Sequence, residues 1–398
     1  MDYELFTIVQ QNTVNWMYSG QDNRCLDVIA NAELTGSSEQ RCIRVVLLCE
    51  DMCDTVMPFL SNTGRLRGTV PTYGCKYFPI NRSNQPVETI NRLLQMMRLD
   101  GTTEETINKV NAYISYLLYL DEIVTGNACQ IDLALIYKYS TASSVERAIA
   151  ELFSQRKISN YERLQMVERY SEVKNAGPLL ENFLSMLNNT FFLSSNRSRR
   201  ISILRPGDCI CFVVKSTMSQ PQIEQLFQMI SWDILDASNK GNRLSISIFE
   251  GKRKYGQELT DLIRRIVGSV KITFYARDFY TGHSNEWQDE MESYFDAWIF
   301  SSHASMSSCE AISNAFGAMP IVRSSYSCDH DRRLASNRLI DRLFNTNRVD
   351  HYIEHVPAWE PRFRKEEIHA MPPGVCLVKT NAEGYWVCLL YTSPSPRD

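Results

Sequence analysis

The spacing of apolar and polar positions changes character twice along the chain. Residues 13–18 (T-V-N-W-M-Y) and 44–49 (R-V-V-L-L-C) are short apolar runs on either side of a turn-rich loop, 19–24, and a helically spaced segment, 25–34. A continuous apolar run such as 44–49 suits a parallel strand buried on both faces, so this opening reads as a βαβ unit. After a loop-rich connection at 64–84, apolar residues recur every three or four positions. They predict helices at 87–98, 103–124, 129–139, 143–156, 159–174 and 178–187. Thr102 and Thr103, and Ser143 and Ser144, stand before glutamates as helix caps do. From Arg200 the shorter period returns. Strands at 201–204, 209–215, 244–251, 270–275 and 297–301 alternate with helices at 220–238, 258–267 and 308–316, the last ending at Gly317. Strands alternating with helices predict an α/β fold with a mostly parallel sheet covered on both faces.

The run at 244–251, L-S-I-S-I-F-E-G, carries the most chemistry. Leu244, Ile246 and Ile248 alternate with serines, and a turn signal at 239–243 (N-K-G-N-R) precedes them, so a strand ending in Glu250 at a loop is expected. Open α/β sheets bind ligands at the carboxyl ends of their strands. In a nucleoside-triphosphate motor such a strand ends in Asp-Glu, one carboxylate holding Mg2+ and the other orienting the attacking water. Phe249 stands in the Asp position here, which leaves Glu250 as the candidate catalytic residue. The loop at 19–24 is where a phosphate would sit. A phosphate-binding loop reads G-x-x-x-x-G-K-[ST], its N–H groups closing around phosphate while Lys reaches the outer oxygens. With Arg24 in the Lys position and Cys25 in the Ser/Thr position, Tyr18 and Asn23 fall where glycines belong and Gly20 alone remains in the loop. Gly20, Asn23, Arg24 and Cys25 are the candidate nucleotide contacts, weighed against an ordinary strand-to-helix turn. Cys25 is a poor Mg2+ ligand, because a thiol is soft and Mg2+ takes oxygen.

Composition narrows the class. With 398 residues, 44% hydrophobic and 22% charged, the chain can bury a large core and form two or three domains. A formal net charge of −4 argues against wrapping nucleic acid with the whole surface, although a local basic groove stays open. The 12 cysteines include no C-x-x-C pair and no compact zinc spacing, so no metal centre is expected and a reducing cytosol fits. No apolar run is long enough to span a membrane, and no leader is expected.

The segments 209–215 (C-I-C-F-V-V-K), S-I-S-I-F-E-G, V-K-I-T-F-Y-A-R-D-F, F-D-A-W-I-F-S-S-H and C-E-A-I-S-N-A-F-G, taken in order with their helices, resemble the motor core of TraG/TraD-type coupling ATPases of conjugation and type IV secretion. The tail E-P-R-F-R-K-E-E-I-H-A-M-P-P-G-V-C-L-V-K resembles that family's closing segment, and the likeness in element order runs over about residues 10–385. The resemblance implies a RecA-like P-loop fold with an inserted all-α domain. Residues 1–85 and 196–385 would be the halves of the motor domain and 86–195 the insertion; outside the resemblance, 386–398 is expected to be a non-native tail. It also implies roles: Arg24 for the P-loop Lys, Cys25 for the Mg2+ hydroxyl, Phe249 for the Mg2+ carboxylate, Glu250 for the catalytic one, and Arg277 near a phosphate-sensing Gln. With Lys, Ser/Thr and Asp all replaced, the clamps that carry phosphoryl transfer are missing together. The expectation is a degenerate, non-hydrolysing relative for which ATP and Mg2+ are in doubt as cofactors. It would be cytoplasmic, act with subunits of a conjugation or secretion apparatus in a homo- or hetero-oligomeric ring, and reach the inner face of the membrane only through partners. The alternatives are a weakly active ATPase or DNA translocase using Glu250, and a DNA-binding module without nucleotide.

Other signals have a plain reading beside a functional one. Lys252, Arg253 and Lys254, with Arg264 and Arg265, are candidate DNA contacts or solvated surface, as are Arg197, Arg199 and Arg200. L-L-Y-L-D-E at 117–122 spells a Walker B run, yet Ile107, Val110, Ile114, Leu117 and Leu118 keep helical spacing, which places Asp121 and Glu122 on a helix. H-Y-I-E-H at 351–355 matches a zincin pattern, but Pro357 ends any helix at once. D-F-Y-T-G-H-S-N at 278–285 is a ligand or subunit loop, or a plain connection. The last residues, 389–398, cannot pack and resemble translated adapter sequence at the end of an assembled metagenomic gene.

Overall fold

Strand β2 (Ile43–Cys49) is buried at every position, as its unbroken apolar run requires, and it sits inside a nine-stranded sheet. This computed structural model describes residues 15–35, 42–62, 65–70, 77, 86–126, 135, 138–139, 141–191, 200–328, 351–381 and 384–389. The other strands of the sheet are β1 (Trp16–Ser19), β3 (Leu66–Val70), β4 (Cys209–Val214), β5 (Leu244–Glu250), β6 (Lys271–Ala276) and β7 (Ala297–Phe300), with β10 (Val375–Thr380) and β11 (Gly384–Leu389). Their order is β11-β10-β7-β1-β6-β5-β2-β4-β3. The run from β7 to β3 is parallel throughout, while β10 and β11 close one side antiparallel. Strands β8 (Ala318–Cys328) and β9 (His351–Pro361) form a separate two-stranded ribbon, in register from Ala318↔Pro361 to Cys328↔His351.

The helices are α1 (Asn23–Thr35), α2 (Cys53–Asn62), α3 (Pro86–Leu99), α4 (Glu104–Thr125), α5 (Ala142–Ser154), α6 (Asn160–Val173), α7 (Gly177–Phe191), α8 (Gln220–Asn239), α9 (Gln257–Ile266), α10 (Asn285–Glu292), α11 (Met306–Phe316) and α12 (Lys365–His369). Helices α3 to α7 lie in sequence between β3 and β4. Thr103 caps α4, which ends on left-handed Gly126, and Ser159 with Glu162 makes a capping box on α6. Arg92 of α3 ties this helical part to α8: it reaches Asp236 with both terminal nitrogens at 2.8 Å and lies 5.5 Å from the Trp232 ring.

The structure corrects several local expectations. Residues 201–204 are not a strand, because the buried carboxylate of Asp233 accepts the N–H groups of Ile201 and Ser202 and folds them into a 3-10 turn, Ile201–Ile203. The connection at 64–84 contains β3, an edge strand whose irregular register beside Gly68 leaves little alternation to read. The N-cap of α5 is Thr141 in place of Ser143 and Ser144. Helix α2, the β8–β9 ribbon and α10 were not foreseen. H-Y-I-E-H lies in β9, where residues four apart stand about 13 Å apart along the strand, too far to share one zinc ion. The run at 117–122 is on α4, and the Asp121 carboxylate accepts from Lys138 at 2.9 Å and Tyr139 at 3.1 Å. Strand β11 takes in 386–389; residues 390–398, Arg197, Arg199 and most of the helix expected at 129–139 lie outside the described residues.

Candidate functional site

β1 delivers residues 19–22 to the carboxyl edge of the sheet, between the exits of β6 and β7. The N–H groups that would face a phosphate there have partners within the chain. Gly20 donates to Ala276 O at 3.1 Å and Gln21 to Ser302 O at 3.0 Å, while Asp22 donates to Ser301 Oγ at 3.4 Å. A Cβ on Gly20 would stand 1.8 Å from Ser301 Oγ, so this glycine serves the close approach of two exit loops. Asp22 then caps α1. Its Oδ1 accepts from Arg24 N–H at 2.9 Å, and its Oδ2 accepts the Cys25 thiol at 3.1 Å and Gly374 N–H at 2.6 Å. A helix N-terminus favours an anion through its unpaired N–H groups and its dipole, and here the anion is the chain's own carboxylate. Desolvation works to raise the pKa of Asp22, but the Gly374 N–H, the Cys25 thiol and the N–H groups of Arg24 and Cys25 outweigh it and hold the carboxyl below its usual value. Burial, with Asp22 beside it, pushes the Cys25 thiol up. Asn23 and Arg24 are exposed on the first turn.

Beneath this loop, buried His303 joins β1 to the β7 exit. Its Nδ1 lies 2.8 Å from Ser301 O, which can only accept, so Nε2 accepts the Ser19 hydroxyl at 2.9 Å. Ser19 Oγ in turn accepts Phe279 N–H at 3.0 Å. Burial holds the imidazole pKa below its ordinary value.

β5 delivers Glu250, which is fully buried, to the same edge. Lys254 Nζ donates to Oε2 at 2.7 Å, Tyr255 N–H to Oε1 at 3.0 Å, and His283 Nε2 lies 3.1 Å from Oε1. The His283 ring stacks on Trp287 with centroids 3.7 Å apart. Lys254 Nζ also donates to Asp278 O at 2.7 Å, and the Asp278 carboxylate accepts from Ser308 and Thr281 hydroxyls at 2.8 and 2.9 Å. The loop at 278–285 is therefore built around Glu250. Next along, Lys252 N–H donates to Asp51 at 2.9 Å and Ser216 N–H to Glu50 at 2.9 Å. Successive exits from β7 to β4 are thus tied to one another across the edge.

The order β1-β6-β5 brings Gly20, Asn23, Arg24, Cys25, Arg277 and Glu250 to one edge, with Lys252, Arg253 and Lys254 beside them. Arg277 is exposed. Arg264 and Arg265 sit near the other end of α9, about 10–12 Å from its first residue along the axis, so the basic candidates do not form one patch. Lys254 is engaged by Glu250, Arg253 donates to Met218 O at 2.8 Å, and Arg264 pairs with Asp261 and Glu290. Sequence reasoning missed Asp22, Lys254 as a partner of Glu250, His283 and buried Glu33. The last, on α1, accepts the hydroxyls of Ser247, Thr273 and Tyr275 and pins the helix to the sheet. The serine alternation in β5 was the available signal for a polar partner above that face.

The chain superposes on solved structures of the bacterial conjugative coupling protein TrwB. The trigonal form, in complex with sulphate, matches at 11% identity over 97% of this chain and 86% of that one, with a TM-score of 0.53. The unbound monoclinic form matches at 13% identity over 99% and 92%, also with a TM-score of 0.53. VirB4 of Thermoanaerobacter pseudethanolicus superposes more loosely, at 12% identity over 97% and 91% with a TM-score of 0.46. No family model and no curated protein matches the sequence. At such identities the likeness is one of fold: a mostly parallel RecA-like P-loop sheet with an all-helical part, as the resemblance to TraG/TraD-type coupling ATPases implied.

Proposed function

We propose that the chain is a non-hydrolysing, coupling-ATPase-like component of a conjugative DNA transfer or type IV secretion apparatus. The observation that carries this reading is the β1 exit, where the N–H groups of a phosphate cradle are bonded within the chain and the Asp22 carboxylate caps α1. A nucleotide phosphate brought there would meet a like charge in place of free donors. The residues present do not fit a Mg2+-nucleotide either. Cys25 offers a thiol already bonded to Asp22, and Phe249 offers no oxygen. A weakly active ATPase using Glu250 is the less favoured reading, since that carboxylate is fully buried and already engaged by Lys254, Tyr255 N–H and His283. A DNA-binding module using both basic clusters is less favoured because those clusters lie at opposite ends of α9. The role is then that of a subunit acting with other components of the apparatus in the cytoplasm. No helix among the described residues is long and apolar enough to cross a membrane.

The test is calorimetric titration of the full chain with ATP, with and without Mg2+, beside a turnover assay of the chain and of Glu250→Gln. No binding at millimolar ATP and no turnover are expected. Mg2+-dependent hydrolysis abolished by Glu250→Gln would overturn the reading and restore a motor.

A further inference from the structure

We propose that the cavity between α3, α8 and α9 is a binding site for a free amino acid with an aliphatic side chain. Residues 225–231 of α8 are buried without a break, and two of them are glutamines. A buried amide is costly to leave unbonded, so each of the two calls for a partner. Gln225 has one in α3, where its Nε2 donates to Met96 O at 3.2 Å. Gln228 is only 4% exposed, yet its side-chain amide bonds to nothing among the described residues. It lines a cavity of about 180 Å³.

The walls select the occupant. Leu99, Phe227 and Leu262 make one side apolar. The lining face of α9 runs from Glu258 to Arg265, about 10 Å along the axis, with a carboxylate at one end and a guanidinium at the other. Between them Asp261 is already paired with Arg264 at 2.9 Å. Arg265 makes no ion pair among the described residues, and Glu224 of α8 accepts the Gln220 amide at 3.2 Å through one oxygen, leaving the other open. A guanidinium takes a carboxylate, a carboxylate takes an ammonium, and the Gln228 amide can donate to one and accept from the other. A small molecule with both charges and a short apolar stem meets every wall. Size excludes larger ligands. At about 30 Å³ per water the cavity equals roughly six waters, below the roughly 300 Å³ at which drug-sized sites begin. It cannot enclose a nucleotide, and its occupancy does not depend on whether the chain binds ATP.

The experiment titrates the full chain with L-leucine, and with isocaproate and isopentylamine, which keep the leucine side chain but lack the ammonium or the carboxylate. Calorimetry and melting temperature are the readouts. Leucine is expected to bind and to raise the melting temperature, and each analogue to bind at least about tenfold more weakly. Gln228→Leu should weaken leucine binding about tenfold while leaving the melting temperature of the unliganded chain unchanged or higher, because it removes an unbonded buried amide. Arg265→Gln, on the surface, should weaken leucine and isocaproate but not isopentylamine. No leucine binding at millimolar concentration, or isopentylamine binding as tightly as leucine, would overturn the proposal. So would Gln228→Leu lowering the melting temperature with leucine binding unchanged, because the amide would then serve the fold alone.

Discussion

The exits of β1 and β5 lie on one edge of the sheet, with only β6 between them, and they are closed with opposite charges. At the β1 exit a carboxylate, Asp22, occupies the helix terminus that would attract an anion. At the β5 exit an ammonium, Lys254, sits on the carboxylate that would serve a metal-bound nucleotide. The two differ in depth. Glu250 is wholly buried and Lys254 largely so, whereas Asp22 keeps some contact with water. The fold can therefore hold both positions in charge balance from its own side chains, and the cost of breaking that balance should follow burial.

The largest effect is expected at the β5 exit. Lys254→Met removes one partner of a buried pair and should destabilise the chain by about 3 kcal/mol in chemical denaturation, with much of it recovered by adding Glu250→Gln. A loss under about 1 kcal/mol would mean that the pair does not hold this exit closed. Gly20→Ala comes next, at about 2 kcal/mol, since its Cβ would run into Ser301. Ser301→Gly in the same chain should relieve most of that loss, and failure to do so would place the strain elsewhere. Asp22→Ala should cost about 1 kcal/mol, the usual price of a helix N-cap; a loss matching Lys254→Met would erase the contrast between the two exits.

The smallest effects separate by pH. Burial depresses the folded-state pKa of His303, so its contribution is complete above the unfolded value of about 6.5 and is lost as pH falls through the folded pKa. Asp22, also depressed, contributes fully above about pH 3.9 and loses that contribution only in stronger acid. Melting temperature followed against pH should show both windows. His303→Gln should flatten the upper one and Asp22→Asn the lower, and a single shared window would show that the two groups do not act separately.

Much of the framework was legible. Unbroken apolar runs marked β2 and β4, helical spacing marked α4 and α6, and alternation ending in a carboxylate marked β5 with Glu250 at its end. β3 and the ribbon were not legible, because a short edge strand and a pair of strands outside the main sheet lack the periodic burial that writes a pattern. Of the site, Gly20, Arg24, Cys25 and Glu250 could be placed at strand exits from order alone, but their partners could not.

By itself the sequence determined where backbone hydrogen bonds would be local and which faces would be buried, since both follow from the period of apolar residues over a few turns. Only the tertiary structure decided whether the exits stayed open. Asp22 meets Gly374 across 352 positions and Ser301 across 279, and Glu250 meets His283 across 33. Contacts at such separations are set by strand order, which brings distant loops to one edge, and no local pattern of residues encodes which of them will meet.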